Sequence, residues 1–211
     1  MTLHVLLFNG SPHKNGCTFT ALSEVAKTLE EAGVSTEILQ IGSTAFRGCV
    51  GCGACKKTGA GCAFGKEDGL NEILDKCKTA DGFVFGSPVY YASANGTMIS
   101  FLDRLFYAGG KALTHKPGCS VVSARRAGTT VTLDELNKYF TINEMPLVSS
   151  NYWPMVHGNT PDQVRQDEEG LQIMRNLGRN MAWILKCIEA GKAAGIEAPT
   201  AENQYRTNFI R

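Results

Sequence analysis

The sequence predicts an α/β three-layer sandwich, a five-stranded parallel sheet with helices on both faces. Three observations predict it. Short apolar runs alternate with longer stretches of helical spacing about five times along the 211 residues. The runs His4 to Phe8 and Gly82 to Gly86 lack the polar alternation of half-exposed strands, as strands covered on both faces do. No linker, repeat or low-complexity segment interrupts the pattern, so residues 1–192 read as one domain and 193–211 as a weakly patterned tail.

The elements follow in order. His4 to Phe8 is a buried strand. Thr18 to Ala32 has helical spacing, with Leu22, Val25, Ala26 and Leu29 on one face and Gly33 as a C-cap. Ser35 to Gln40 is a second strand. Phe46 to Lys66 is rich in Gly and Cys, has no periodicity and reads as a loop. Asp68 can cap a helix running through Lys78. Gly82 to Gly86 is the third strand, Met98 to Tyr107 a helix, and Cys119 to Ser123 the fourth strand. Thr132-x-x-Glu135 reads as a capping box opening a helix to about Phe140, and Pro146 to Ser149 as a short fifth strand. Thr160-Pro161-x-Gln163 is a second capping box, opening one long helix that ends near Gly191.

Composition excludes several classes. With 43% hydrophobic and 19% charged residues, the chain is an ordinary globular protein rather than a disordered one. A formal net charge of +1 gives no electrostatic case for nucleic acid, and it is unlike a strongly acidic carrier protein. The N-terminal apolar run lacks a basic start and stops at Asn9-Gly10, so it does not read as a signal peptide. No run approaches the ~18–20 apolar residues that cross a bilayer. A cytoplasmic protein without a membrane partner is the expectation.

In a parallel sheet, ligands bind at the carboxyl ends of the strands. The loop after the first strand offers Ser11 and Thr18 hydroxyls, Gly10, Gly16 and the free N–H groups of a helix start, all suited to a phosphate. It matches neither G-x-x-x-x-G-K-S/T nor G-x-G-x-x-G, which excludes the nucleoside-triphosphate loop and the dinucleotide fingerprint. A capped strand-to-helix turn without ligand fits the same residues. After the third strand, Pro88 fixes a rigid segment and Tyr90-Tyr91 can offer a flat ring to a ligand or pack on a helix. After the fourth strand comes Ser123 to Thr130, with Arg125 and Arg126.

Gly10-Ser11-Pro12-His13 through Gly16-Cys17-Thr18 resembles the Gly-Ser-Pro-Arg and Gly-Asn-Thr loop of the NAD(P)H-dependent FMN reductase family. The ordered string from Ser87-Pro88-Val89-Tyr90-Tyr91 through Gly96-Thr97-Met98 to Phe101-Leu102-Asp103-Arg104 resembles its second motif. The resemblance runs from Leu6 to about Gly191 and implies a flavodoxin-like fold. It implies that Ser11, His13, Cys17 and Thr18 surround the FMN phosphate. Pro88, Val89, Tyr90 and Tyr91 would touch the isoalloxazine, and Ser123, Ala124, Arg125 and Gly128 would follow the ring's edge and pyrimidine end. His13 stands where arginine is usual, and Cys17 where Asn or Ser is usual, so that Cys17 contact would run through backbone N–H. Asp103 and Arg104 read as a structural pair on their helix, and Arg126 as solvated. The loop Asn151 to Gly158, with Tyr152 and Trp153, either walls a flavin site across a subunit interface or packs a dimer.

Of eight cysteines, Cys49, Cys52, Cys55 and Cys62 crowd into 14 residues, whereas Cys77, Cys119 and Cys187 read as small buried hydrophobes. Gaps of two, two and six open like the bacterial ferredoxin run but lack its short last gap and its proline. The spacing resembles the compact motif of iron–sulfur flavoproteins and implies a [4Fe–4S] cluster. Free redox-labile thiols and a zinc site remain alternatives, although zinc ligands usually fall into two separated pairs.

The function implied is an FMN-dependent NAD(P)H oxidoreductase: hydride from NAD(P)H to FMN, then electrons to an unidentified small molecule or redox protein. The flavin carries the chemistry, so no catalytic side chains are expected. The alternative is an iron–sulfur flavoprotein that carries electrons rather than turning over substrate. A cysteine-based redox module without flavin is a further rival. The family resemblance implies a homodimer or homotetramer.

Overall fold

The structure, a computed structural model, describes residues 2–205 and 207; Met1 and the end of the expected tail lie outside those residues. Strands β1 (His4–Asn9), β2 (Ser35–Gln40), β3 (Gly82–Tyr90), β5 (Gly118–Ala124) and β6 (Met155–His157) form a parallel sheet in the order β2-β1-β3-β5-β6. β4 (Ser93–Ala94) pairs antiparallel with the end of β3. Both faces are covered, which explains the missing alternation in β1 and β3. Leu6, Phe8, Phe83 and Phe85 face one core, with residues of α3 (Leu70–Thr79), α4 (Gly96–Gly109) and α5 (Thr129–Ile142). Val5, Leu7, Val84 and Val121 face the other, with α1 (Cys17–Glu31) and α7 (Glu168–Ala193). The strand order reverses beside β1 and β3, and there their connecting loops part to opposite faces at the carboxyl edge, the place where sheets of this kind bind ligands.

Several local expectations change. The Phe46–Lys66 loop contains a short helix, α2 (Ala54–Thr58), flanked by Gly53 and Gly59 in the left-handed region, φ 68° and 67°. β3 runs on to Tyr90, because β4 folds back and pairs with its end. The α5 helix starts at Thr129 after Gly128, not at a box on Thr132; Thr132 lies inside it and returns its hydroxyl to the Gly128 carbonyl at 2.9 Å. The α3 cap is Gly69 (φ 77°), with no side-chain cap among the described residues; Asp68 adds one weak contact to the Leu70 N–H at 3.3 Å. The C-terminal helix is two helices, α6 (Pro161–Gln166) and α7, because Asp167 breaks the run and caps the second through the Gly170 N–H at 2.9 Å. Cys187 is exposed, whereas Cys77 and Cys119 are buried as expected.

The sheet edge differs most. Pro146 to Ser149 makes one isolated bridge, Gly118 to Leu147, rather than a strand. The fifth parallel strand is Met155–His157, inside the segment read as an aromatic loop. Pairing along β5 resumes only at Val122 N–H to Pro154, so the intervening residues 149–153 leave the edge. Ser120 lies in that gap, and its buried hydroxyl has no partner among the described residues.

Candidate functional site

The loop after β1 is shaped from beneath. Asn9, fully buried at the end of β1, donates from Nδ2 to Gln40 Oε1 (2.7 Å) and Lys14 O (3.3 Å), and its Oδ1 accepts the Ser11 N–H (3.1 Å). Gln40, at the end of β2, donates to Ser11 O at 2.7 Å. Ser11 Oγ accepts the His13 N–H at 3.2 Å. Two glycines permit close approach: a Cβ on Gly10 would sit 2.8 Å from Gly86 O, and one on Gly42 2.2 Å from Gly10 O. Residue types alone do not single out Asn9, Gln40 or Gly42; the signal lies in an amide side chain closing each of two adjacent strands.

The sequence-predicted phosphate residues gather here unevenly. α1 begins at Gly16 with no side-chain cap among the described residues, so its first-turn N–H groups are open to an anion. The Thr18 and Ser123 hydroxyls bond each other at 2.8 Å beneath the loop, tying α1 to β5. Both are buried. The Cys17 thiol turns toward Gly158 O (3.6 Å), and burial pushes its pKa up; its backbone N–H remains at the helix start. His13 is exposed at the rim.

The ring-side residues also converge. Tyr91 and Ala92 form a two-residue turn between β3 and β4 with φ of 52° and 58°, a left-handed conformation that non-glycine residues rarely adopt. The turn leaves Tyr91 fully exposed. Glu135 of α5 holds the hairpin, its Oε2 accepting from Ser93 Oγ (2.8 Å) and the Ala94 N–H (2.7 Å), a role different from the helix cap expected for it. Ser87 Oγ accepts the Asn95 N–H at 2.9 Å, and Asn95 caps α4 through the Thr97 N–H at 2.8 Å. A Cβ on Gly128 would meet Ala92 Cα at 2.8 Å and Val89 at 2.9 Å, so the loops after β3 and β5 touch. Pro88, Val89, Tyr90, Ala124 and Gly128 thus lie together at the carboxyl edge of the sheet, with Ala124 the last residue of β5; Arg125 beside it is exposed. This edge combines uncapped helix N–H groups, small residues and an exposed ring, a set that fits a phosphate-bearing planar cofactor such as FMN.

The four clustered cysteines lie beside α4. Cys49, Cys52, Cys55 and Cys62 all line one cavity, with Arg104 and Tyr107. Glycines 51, 53, 59 and 61 have φ between 64° and 85°, turning the backbone tightly around it. Cys49 and Cys52 are exposed, Cys55 and Cys62 half-buried. Among the described residues no three His, Cys, Asp or Glu converge as a single metal ion requires; the four cysteines share the lining of one cavity. Arg47 lies over Phe64 and Lys56 over Tyr107. Asp103 and Arg104 do not pair with each other. Asp103 accepts from Tyr139 Oη at 2.6 Å, and Arg104, 2% exposed, pairs with Asp68. Burial works against its charge, but the bonds to Asp68 and Cys62 outweigh it and raise its pKa. Four thiols, tight glycine turns and surrounding cations suit a multi-iron cluster of net negative charge.

The fold defines the class: a flavodoxin-like α/β protein whose ligand edge lies at the carboxyl ends of its parallel strands. The chain belongs to the NADPH-dependent FMN reductase family, whose model matches residues 3–160. An iron–sulfur flavoprotein of Methanocaldococcus jannaschii is 31% identical over 196 residues, 89% of this chain and 100% of its own length. One from Methanosarcina thermophila is 25% identical over 87% of this chain and 96% of its own. Among solved structures, an NAD(P)H:quinone oxidoreductase from Methanothermobacter marburgensis superposes with a TM-score of 0.64 at 18% identity, covering 86% of this chain and 96% of that one. An archaeal flavodoxin gives 0.59 at 15%, over 87% and 99%. The protein is an FMN-dependent oxidoreductase that uses NAD(P)H. Among the described residues no helix is long and apolar enough to cross a membrane.

Proposed function

We propose that this FMN-dependent NAD(P)H oxidoreductase also carries a [4Fe–4S] cluster on Cys49, Cys52, Cys55 and Cys62. The observation that carries this reading is that all four cysteines line one cavity. The names of the curated relatives support it further. When bound, FMN supplies hydride and electron chemistry, and a cluster supplies one-electron chemistry.

The chain's own residues do the holding. The first-turn N–H groups of α1, including those of Cys17 and Thr18, with Ser11, take the phosphate, the Thr18 hydroxyl bracing the turn from beneath through Ser123, and His13 stands beside it. Pro88, Val89, Tyr90 and Tyr91 seat the ring. Ser123, Ala124, Arg125 and Gly128 border its pyrimidine end, where the Arg125 guanidinium favours negative charge. The acceptor is a small molecule or a redox protein. A homodimer or homotetramer is part of the proposal, supported by the exposed Tyr152–Trp153 pair, centroids 5.0 Å apart, and is read by light scattering. The relatives' names also support a second reading, an electron carrier rather than a turnover enzyme; slow NAD(P)H oxidation with normal photoreduction would select it.

The test is the absorbance spectrum of anaerobically purified protein, with iron and acid-labile sulfide measured on the same sample. Flavin bands with about four irons per chain, as a cubane requires, are expected. Flavin without iron would leave a reductase with free thiols. No flavin, and none taken up on adding FMN, would overturn the reading.

A further inference from the structure

Arg104 sits on the buried face of α4 among Phe101, Leu102 and Leu105. A guanidinium in such a place is costly unless each of its five N–H groups finds an acceptor. All are accounted for. Nη1 donates to Asp68 Oδ2 and to Arg47 O at 3.4 Å. Nη2 donates to Asp68 Oδ1 at 3.3 Å. Nε and the second N–H of Nη2 both reach Cys62 Sγ, at 3.4 Å each. The fork of the guanidinium therefore closes on one sulfur. A neutral thiol is a weak acceptor, whereas a metal-ligating thiolate carries the charge that two such donors match.

Cys62 differs from its three companions in a second way. Asn71 clasps its backbone from both sides: Oδ1 accepts the Cys62 N–H at 2.9 Å, and Nδ2 donates to the Cys62 carbonyl at 3.0 Å. Cys49 and Cys52 are exposed, and the Cys55 thiol has only a 3.9 Å contact to Tyr107 O. Of the four, Cys62 alone is fixed at both backbone and sulfur by groups outside its own loop.

We propose that Arg104, oriented by Asp68, is the positioning residue of the cysteine site: it fixes Cys62 as the anchoring ligand and, through two N–H bonds to its sulfur, sets the reduction potential of the group held there. This rests on the reading that the four cysteines hold a cluster. Hydrogen bonds to a ligand sulfur favour the more negative, reduced state and so raise the potential. Asp68 brings a buried negative charge near the same sulfur and acts in the opposite sense.

The experiment is an EPR-monitored redox titration of the wild-type protein, Arg104→Lys and Asp68→Asn, all purified anaerobically, with iron, sulfide and FMN content measured on each. Arg104→Lys keeps the charge and loses the fork. Its cluster is expected to be at least tenfold harder to reduce, a shift of about 59 mV downward for a one-electron couple. Asp68→Asn is expected to move the potential upward. Because Arg104 is buried, retained FMN certifies that each variant is folded, and Asp68→Asn keeps the proposal testable if Arg104→Lys is not. Potentials that match wild type in a variant that keeps its iron would overturn the inference. Wild-type protein without iron would instead overturn the cluster reading beneath it, and the two failures are told apart by the wild-type iron assay alone.

Discussion

The phosphate loop and the cysteine loop lie at different places on one scaffold and are held in different ways. The first hangs from interior side chains, Asn9 and Gln40, and its glycines press against backbone. The second lies outside the sheet, bends at left-handed glycines and leaves Cys49 and Cys52 exposed; among the described residues Cys62 is held by Arg104 and Asn71, and Cys55 has one 3.9 Å contact. One site has its shape stored in the fold before any ligand arrives. The other, on the proposed reading, would be completed by the cluster it holds, starting from Cys62 as its fixed corner. Substitutions in the first should therefore cost stability and flavin together, and substitutions in the second should cost iron alone.

Gly42→Ala tests the first half most severely. Its Cβ would sit 2.2 Å from Gly10 O and from Ser11 C, both backbone atoms, so urea unfolding should show a loss of about 3 kcal/mol or more, with FMN binding lost. Asn9→Ala comes next: stripping a buried amide from its partners should cost about 2–3 kcal/mol and weaken FMN in a fluorescence titration. If either variant keeps native stability and flavin, the phosphate loop is not held from beneath.

A buried thiol sharpens the contrast with the cluster cysteines. Burial pushes the Cys77 pKa up to about 12, an effect that nearby Lys116 partly offsets. Below pH 9 the thiol is protonated whether the chain is folded or not. Above that the unfolded chain releases the proton first, so stability falls as pH rises from about 9 toward 12, by about 1.4 kcal/mol per pH unit for one proton. Buried Cys119 and half-buried Tyr139 are raised too and add to the alkaline loss. Cys77→Ala should shallow the slope by one proton, read from urea melts across that range.

Two smaller effects finish the series. Ala92→Gly removes a Cβ from a left-handed position and should stabilise by about 1 kcal/mol, raising Tm in a thermal melt. Cys49→Ser should change stability by less than about 0.5 kcal/mol and keep FMN while losing iron. Loss of flavin with it would erase the proposed difference between the two loops.

The layered fold was legible because a strand covered on both faces shows it in its own composition, as β1 and β3 do. The sheet edge was less so. Pro146 to Ser149 and Met155 to His157 are both short apolar runs, and which one pairs along β5 depends on a detour that no local pattern encodes. The phosphate loop's outline was readable from Gly10, Ser11 and Thr18, while its supports were not, since a buried asparagine looks like any polar residue opening a loop. Arg104 reads as a structural pair with Asp103 on its helix, but its partners are Asp68 and Cys62, more than thirty residues earlier, and no local pattern shows them until the chain is folded against it.

The α4 helix touches both regions. Asn95 at its start is bonded to Ser87 near the carboxyl edge of the sheet, and Arg104 faces the cysteine cavity. Nine residues separate them, about 13 Å of helix axis. A helix keeps length by counting residues, so α4 is a ruler whose unit is the single amino acid. Inserting one residue between those two would lengthen it by only about 1.5 Å but turn Arg104 by about 100°, sweeping the guanidinium off the sulfur. Spacing and orientation between the two ends of α4 are thus locked to each other.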